Sequence, residues 1–159
     1  MTLTIEKNAK TINPLLDCEV ESVPESVAEG KKQILVVDDD NDIRRALHIR
    51  LRAQGFDTVF ATDGLMAITT ALKESPDLIL LDLGLPAGDG FVVLERLQKN
   101  TKLSCVPVIV LTARESRANK DKALAAGACT FFQKPVENEE LIAAIEKALK
   151  ESGVPLPQN

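Results

Sequence analysis

The segment Gln33-Ile34-Leu35-Val36-Val37-Asp38-Asp39-Asp40 constrains the fold more than any other part of the chain. A short run of branched apolar residues reads as a strand buried on both faces, as in a parallel sheet covered by helices. It stops on three consecutive carboxylates. Like charges gathered at a strand end repel unless a cation holds them. The pattern returns in Leu78-Ile79-Leu80-Leu81-Asp82. If the two strands are neighbours, Asp38, Asp39 and Asp82 converge at one edge of the sheet and offer oxygen ligands to a hard divalent cation.

From Gln33 onward, short branched apolar runs alternate with helical patterns, which predicts strands near 33–37, 57–61, 77–81, 106–111 and 129–132. Asp40 caps a helix that Gly55 ends, and Asp63 caps one that breaks before Pro76. Asp89 or Gly90 opens a third, Gly127 ends a fourth, and a fifth runs from about Glu137 to Glu151 with Lys147 and Lys150 near its end. Five strand–helix units in a row make an α/β, doubly wound parallel sheet, because right-handed crossovers place helices on both faces. Ligands of such sheets bind outside the C-terminal ends of the strands.

Residues 1–31 lack sustained periodicity and carry six acids (Glu6, Asp17, Glu19, Glu21, Glu25, Glu29) against Lys7 and Lys10 before Lys31. They read as an acidic, flexible extension. Residues 32–151 form one domain, and 152–159, with two prolines, a short tail. The net charge of -5 among 159 residues argues against nucleic acid as a partner, since neutralising phosphates needs surplus Lys and Arg. No apolar stretch approaches a membrane span and the N-terminus lacks a signal-peptide layout, so a cytoplasmic location is expected. Cys18, Cys105 and Cys129 have no paired spacing, and the last two read as small hydrophobes at strand starts.

Five strand ends then read as one site. The first gives Asp38 and Asp39, the third Asp82, the fourth Thr112-Ala113, and the fifth is followed by Lys134-Pro135. Carboxylates, a hydroxyl and an ammonium without a histidine ligand suit phosphoryl transfer to a carboxylate nucleophile, with Mg²⁺ drawing charge off the phosphoryl group. Thr112 and Lys134 can each meet a phosphoryl oxygen.

With these motifs in order, Lys32 to Lys150 resembles a receiver domain of the two-component response regulators, of the stand-alone chemotaxis-regulator kind. The resemblance implies a flavodoxin-like sheet of strand order 2-1-3-4-5 with five helices. It implies phosphorylation of Asp82 by a histidine kinase or histidine phosphotransfer protein. Mg²⁺ would be held by Asp38, Asp39, Asp82 and the Gly84 backbone carbonyl, and the phosphoryl group by Thr112, Ala113 and Lys134. Thr112 and Phe131 would form the switch, signalling to a protein target through the fourth helix, fifth strand and fifth helix. Gly84 and Arg114 would tune dephosphorylation. Gly84, Leu85, Phe131 and Val136 depart from the commoner family residues, and none of these changes removes a catalytic group.

The expected function is a self-phosphorylating and self-dephosphorylating switch without turnover of an external substrate. A relay without its own output, a receiver-like scaffold that is never phosphorylated, and an aspartyl-phosphate phosphohydrolase are the rivals. The last normally carries an acid two residues after the nucleophile, where this chain has Gly84. Asp40 reads as a cap only. His48, beside the apolar stripe Ile43, Leu47, Leu51, reads as a surface histidine, and Arg114, Arg117, Lys120 and Lys122 as a solvated helix face.

Overall fold

The structure, a computed structural model, describes residues 31–85, 90–113 and 117–152. Residues 1–30 of the extension expected at 1–31, residues 153–159 of the tail expected at 152–159, Cys18, Asp89 and Arg114 lie outside the described residues. The elements are β1 (Gln33–Val37), α1 (Asn41–Ala53), β2 (Asp57–Ala61), α2 (Gly64–Glu74), β3 (Leu78–Leu81), α3 (Gly90–Lys99), β4 (Val108–Thr112), α4 (Arg117–Ala125), β5 (Thr130–Gln133) and α5 (Asn138–Glu151). All strand pairs are parallel and the order is β2-β1-β3-β4-β5. This is the expected doubly wound order.

Alternation along each strand divides the core in two. Leu35, Val37, Ile79, Leu81, Val108 and Val110 face the layer of α2, α3 and α4. Ile34, Val36, Leu78, Leu80, Ile109 and Leu111 face α1 and α5. Both sides are covered, so the central strands must be apolar throughout.

The punctuation works as its chemistry dictates. Asp40 accepts from the backbone N–H groups of Asp42 and Ile43, and Asp63 from that of Met66, which satisfies donors left free in a first helical turn. Gly55, at φ +90°, turns the chain out of α1 in a conformation that costs other residues a steric clash. Glu137 stands at the start of α5 without a side-chain capping bond.

Two expectations are corrected and one is extended. Cys105 and Cys129 precede β4 and β5 and are exposed, because the strand cores begin later, at Val108 and Thr130. His48 is half-buried and its Nδ1 lies 2.6 Å from the Thr58 hydroxyl, with its ring edge-on to Phe60, so it joins α1 to β2. Arg117, Lys120 and Lys122 are exposed as expected, and the Lys122 ammonium in addition lies 4.2 Å from the centre of the Phe91 ring.

A candidate acidic site at the strand ends

Strand register builds the site. Val37 is opposite Leu81, and the Asp82 N–H donates to the Val37 carbonyl at 3.0 Å. The next residue on each chain is therefore an acid, and the two acids emerge side by side. Asp38 and Asp82 are buried and Asp39 is exposed, yet one carboxylate oxygen from each lies within 4.8 Å of the others. On the next strand after β3, Thr112 ends β4 fully buried, and its carbonyl accepts from the Lys134 N–H at 2.9 Å. That bond fixes where the Lys134 side chain starts. The Lys134–Pro135 peptide is cis.

Lys134 Nζ donates to Asp38 Oδ2 and lies 3.7 Å from Asp82 Oδ2. Asp38 Oδ1 accepts from the Asp40 N–H at 2.9 Å, and Asp82 Oδ1 from the Gly84 N–H at 3.0 Å. Burial pushes the Asp38 carboxyl above its ordinary pKa, helped by the neighbouring Asp82 charge, and it outweighs the opposing hydrogen bond and charge of Lys134. Among the described residues, the three carboxylates face one close ammonium, that of Lys134, so the cluster carries more negative charge than this cation relieves. Its donors are all oxygens, with no imidazole or thiolate among them. That set fits Mg²⁺ and other hard cations, and not a soft metal.

Two contacts escaped sequence reasoning. Arg44, six residues after Asp38, donates to the Asp38 carbonyl at 2.7 Å and to Asn41 Oδ1 at 3.1 Å, tying the acidic turn to α1. An arginine inside an amphipathic helix carries no local signal of that role. Gly90 packs α3 onto the loop after Asp82, where a Cβ would stand 2.4 Å from Leu83 Cα and 2.8 Å from the Asp82 carbonyl oxygen. Its N–H donates to the Leu83 carbonyl at 3.2 Å.

Ala113 is exposed directly after Thr112, and Gly84 is exposed beside Asp82. Phe131 is half-buried on β5, opposite Val110, and packs on the α2–α3–α4 side of the core. Arg114 cannot be placed relative to Gly84, since it lies outside the described residues.

Residues 34–146 match the response regulator receiver domain family. The chain belongs to that family. It is 36% identical over 118 residues to the DNA-binding dual master transcriptional regulator RpaA of Synechocystis sp., covering 74% of this chain and 49% of the relative. To the DNA-binding response regulator MtrA of Mycobacterium tuberculosis it is 38% identical over 120 residues, covering 76% and 51%. The chain thus spans about half the length of these curated relatives. Among solved structures, a CheY-like response regulator receiver domain protein from Methanospirillum hungatei superposes with a TM-score of 0.72 at 29% identity, covering 77% of this chain and 97% of the other. The receiver domain of the sensor histidine kinase PA1611 from Pseudomonas aeruginosa superposes at 0.71 with 26% identity, covering 77% and 100%, and carries a magnesium ion in its active-site cleft. Receiver domains are phosphoryl-accepting switches of two-component systems. None of the described helices of this chain is long and apolar enough to cross a membrane.

Proposed function

We propose that this receiver domain accepts a phosphoryl group on Asp82 from a histidine kinase or histidine phosphotransfer protein and signals by phosphorylation-dependent contact with a protein target. The observation that carries the reading is the register of β1 against β3, which sets the Asp82 carboxylate beside Asp38 with the Lys134 ammonium within reach of both.

An Asp82 carboxylate oxygen attacks phosphorus. A P–O bond forms as the P–N bond to the donor imidazole breaks, and the product is an acyl phosphate. Asp38, Asp39, Asp82 and the Gly84 carbonyl would hold Mg²⁺, which when bound supplies charge neutralisation for the transferring group. Lys134 stabilises negative charge on a phosphoryl oxygen, and Thr112 with the Ala113 backbone receives another. Arg44 keeps the turn bearing Asp38 and Asp39 in place through the Asp38 carbonyl. The donor protein reaches the carboxylate over the rim near Lys134. There a groove of about 400 Å³ lies between α1 and the loop after β5, lined by Ile43, Leu47, Pro135 and Val136.

In this reading the chain turns over no external substrate, and its output leaves through α4, β5 and α5. A role with nucleic acid is not part of it. The expectation that no nucleic acid binds rests on net charge alone, and relatives named as DNA-binding lend it no support. Intact-mass spectrometry after incubation with acetyl phosphate and Mg²⁺ tests the assignment. One phosphoryl group should appear on the wild type and none on Asp82→Asn; labelling that survives the substitution refutes it.

A further inference from the structure

Among the helices, α4 is the least anchored. Its one buried residue is Ala123, and Leu124 remains 39% exposed. By contrast, α3 buries Phe91, Val93, Leu94 and Leu97, and α5 buries Leu141, Ile142, Ile145, Ala148 and Leu149. A helix with so little apolar burial opens at low free-energy cost, so any further tie carries a large share of its attachment. One such tie is the cation–π contact of Lys122 with Phe91. Phe91 is itself buried, and it directly follows Gly90, whose Cα sits against the backbone of Asp82 and Leu83 with no room for a methyl group. From Asp82 to α4 the chain of contact is therefore short: loop backbone, Gly90, the Phe91 ring, the Lys122 ammonium.

We propose that Lys122 and Phe91 form a latch that ties α4 to the loop carrying Asp82, so that displacement of this loop changes the order of α4. The holding function follows from contacts alone. Control by phosphorylation rests on the reading of Asp82 given above. A cation over an aromatic face near solvent contributes enough to slow local opening about two- to fivefold. By reciprocity, whatever the latch takes from α4 it also imposes on the loop.

Amide hydrogen exchange read by mass spectrometry on the full chain tests this. Without metal or phosphate, Lys122→Met should speed exchange in residues 117–125 about two- to fivefold and leave α5 unchanged. Lys122→Arg, which keeps the cation, should exchange like the wild type. In a Phe91→Leu background, Lys122→Met should add nothing. Unchanged exchange in α4, equal acceleration in α4 and α5, or the same increment with Leu at position 91 would each overturn the latch. With acetyl phosphate and Mg²⁺, α4 exchange should respond in the wild type and respond less in Lys122→Met. Equal responses with Asp82 labelled refute the control by phosphorylation, whereas absent labelling refutes the phosphoacceptor reading and leaves the first comparison to decide the latch.

Discussion

The Lys134 ammonium bonds the Asp38 carboxylate and stands 3.7 Å from that of Asp82, so one cation bridges the ends of two adjacent strands. Lys134 is only 15% exposed and the carboxylates less, which makes the arrangement a largely buried ionic cluster. Removing one member of such a cluster leaves charge uncompensated. Lys134→Met should therefore destabilise the metal-free protein by about 1–3 kcal/mol, less than for a fully buried pair because Lys134 keeps some exposure. It should also slow labelling by acetyl phosphate about ten- to a hundredfold, the worth of one charge-assisted hydrogen bond. A melting curve and a labelling time course check the two parts. Wild-type labelling rates in the variant would remove Lys134 from the phosphoryl site.

Asp38 tests the electrostatics of the site from the other side. Its pKa is raised in the folded state, chiefly by burial, so the unfolded chain loses this proton at lower pH than the folded one. The penalty is absent below the unfolded value. It grows as pH rises toward the folded value and is complete above it. Asp38→Asn, which still offers Lys134 an acceptor, should accordingly melt higher than the wild type near neutral pH without metal, and the gap should close as pH falls into the carboxylate range. Mg²⁺ should reverse the order, because mass action stabilises the protein that binds it. A lower melting temperature for metal-free Asp38→Asn at neutral pH would contradict this account.

Gly90 bears on geometry and not charge. An added Cβ meets backbone at 2.4 Å, so either α3 or the Asp82 loop must shift. Gly90→Ala should cost about 1–3 kcal/mol and slow labelling of Asp82. Gly64→Ala is the control. Its Cβ would meet a side-chain atom, Val93 Cγ2 at 2.7 Å, and no backbone of the Asp82 loop; Val93 is buried and β-branched, so any strain falls on the packing of α2 against α3. Labelling should be unaffected there. Equal labelling in the two variants would mean that the loop tolerates displacement.

How much of this was legible follows from what each residue depends on. Strands buried on both faces announce themselves as unbroken apolar runs, and Asp38 and Asp82 end such runs, so the α/β class and the acids at the strand ends were readable, whereas the strand order that brings them together came with the resemblance to receiver domains. Caps are equally local, and Asp40 and Asp63 act as expected. His48 failed because its partner, Thr58, sits on the following strand and no periodicity encodes that pairing. Arg44 and Lys122 escaped for the same reason: a cation on a helix looks solvated until the neighbouring element supplies a carbonyl or a ring. Cys105 and Cys129 look like core by residue type, yet they lie at the rim before their strands begin.

The last prediction concerns how a change at Thr112 leaves the site. Thr112 and Phe131 lie on paired strands, with Val110 opposite Phe131 and Thr112 opposite Gln133, two residues further along. Thr112 is fully buried, so movement of its side chain toward a phosphoryl group must be compensated by its surroundings. Phe131 is half-buried against the core beneath α4 and has no hydroxyl to keep hydrated, so turning inward gains apolar burial without stranding a polar group. Phe131→Ala should cost about 2 kcal/mol, below the value for a fully buried phenylalanine. It should leave Asp82 labelling by acetyl phosphate within about twofold of the wild type, since no group in the acidic site is altered. The phosphorylation-dependent change in hydrogen exchange of α4 and β5 should shrink in the same variant. An undiminished exchange response would place the moving element elsewhere and remove Phe131 from the switch.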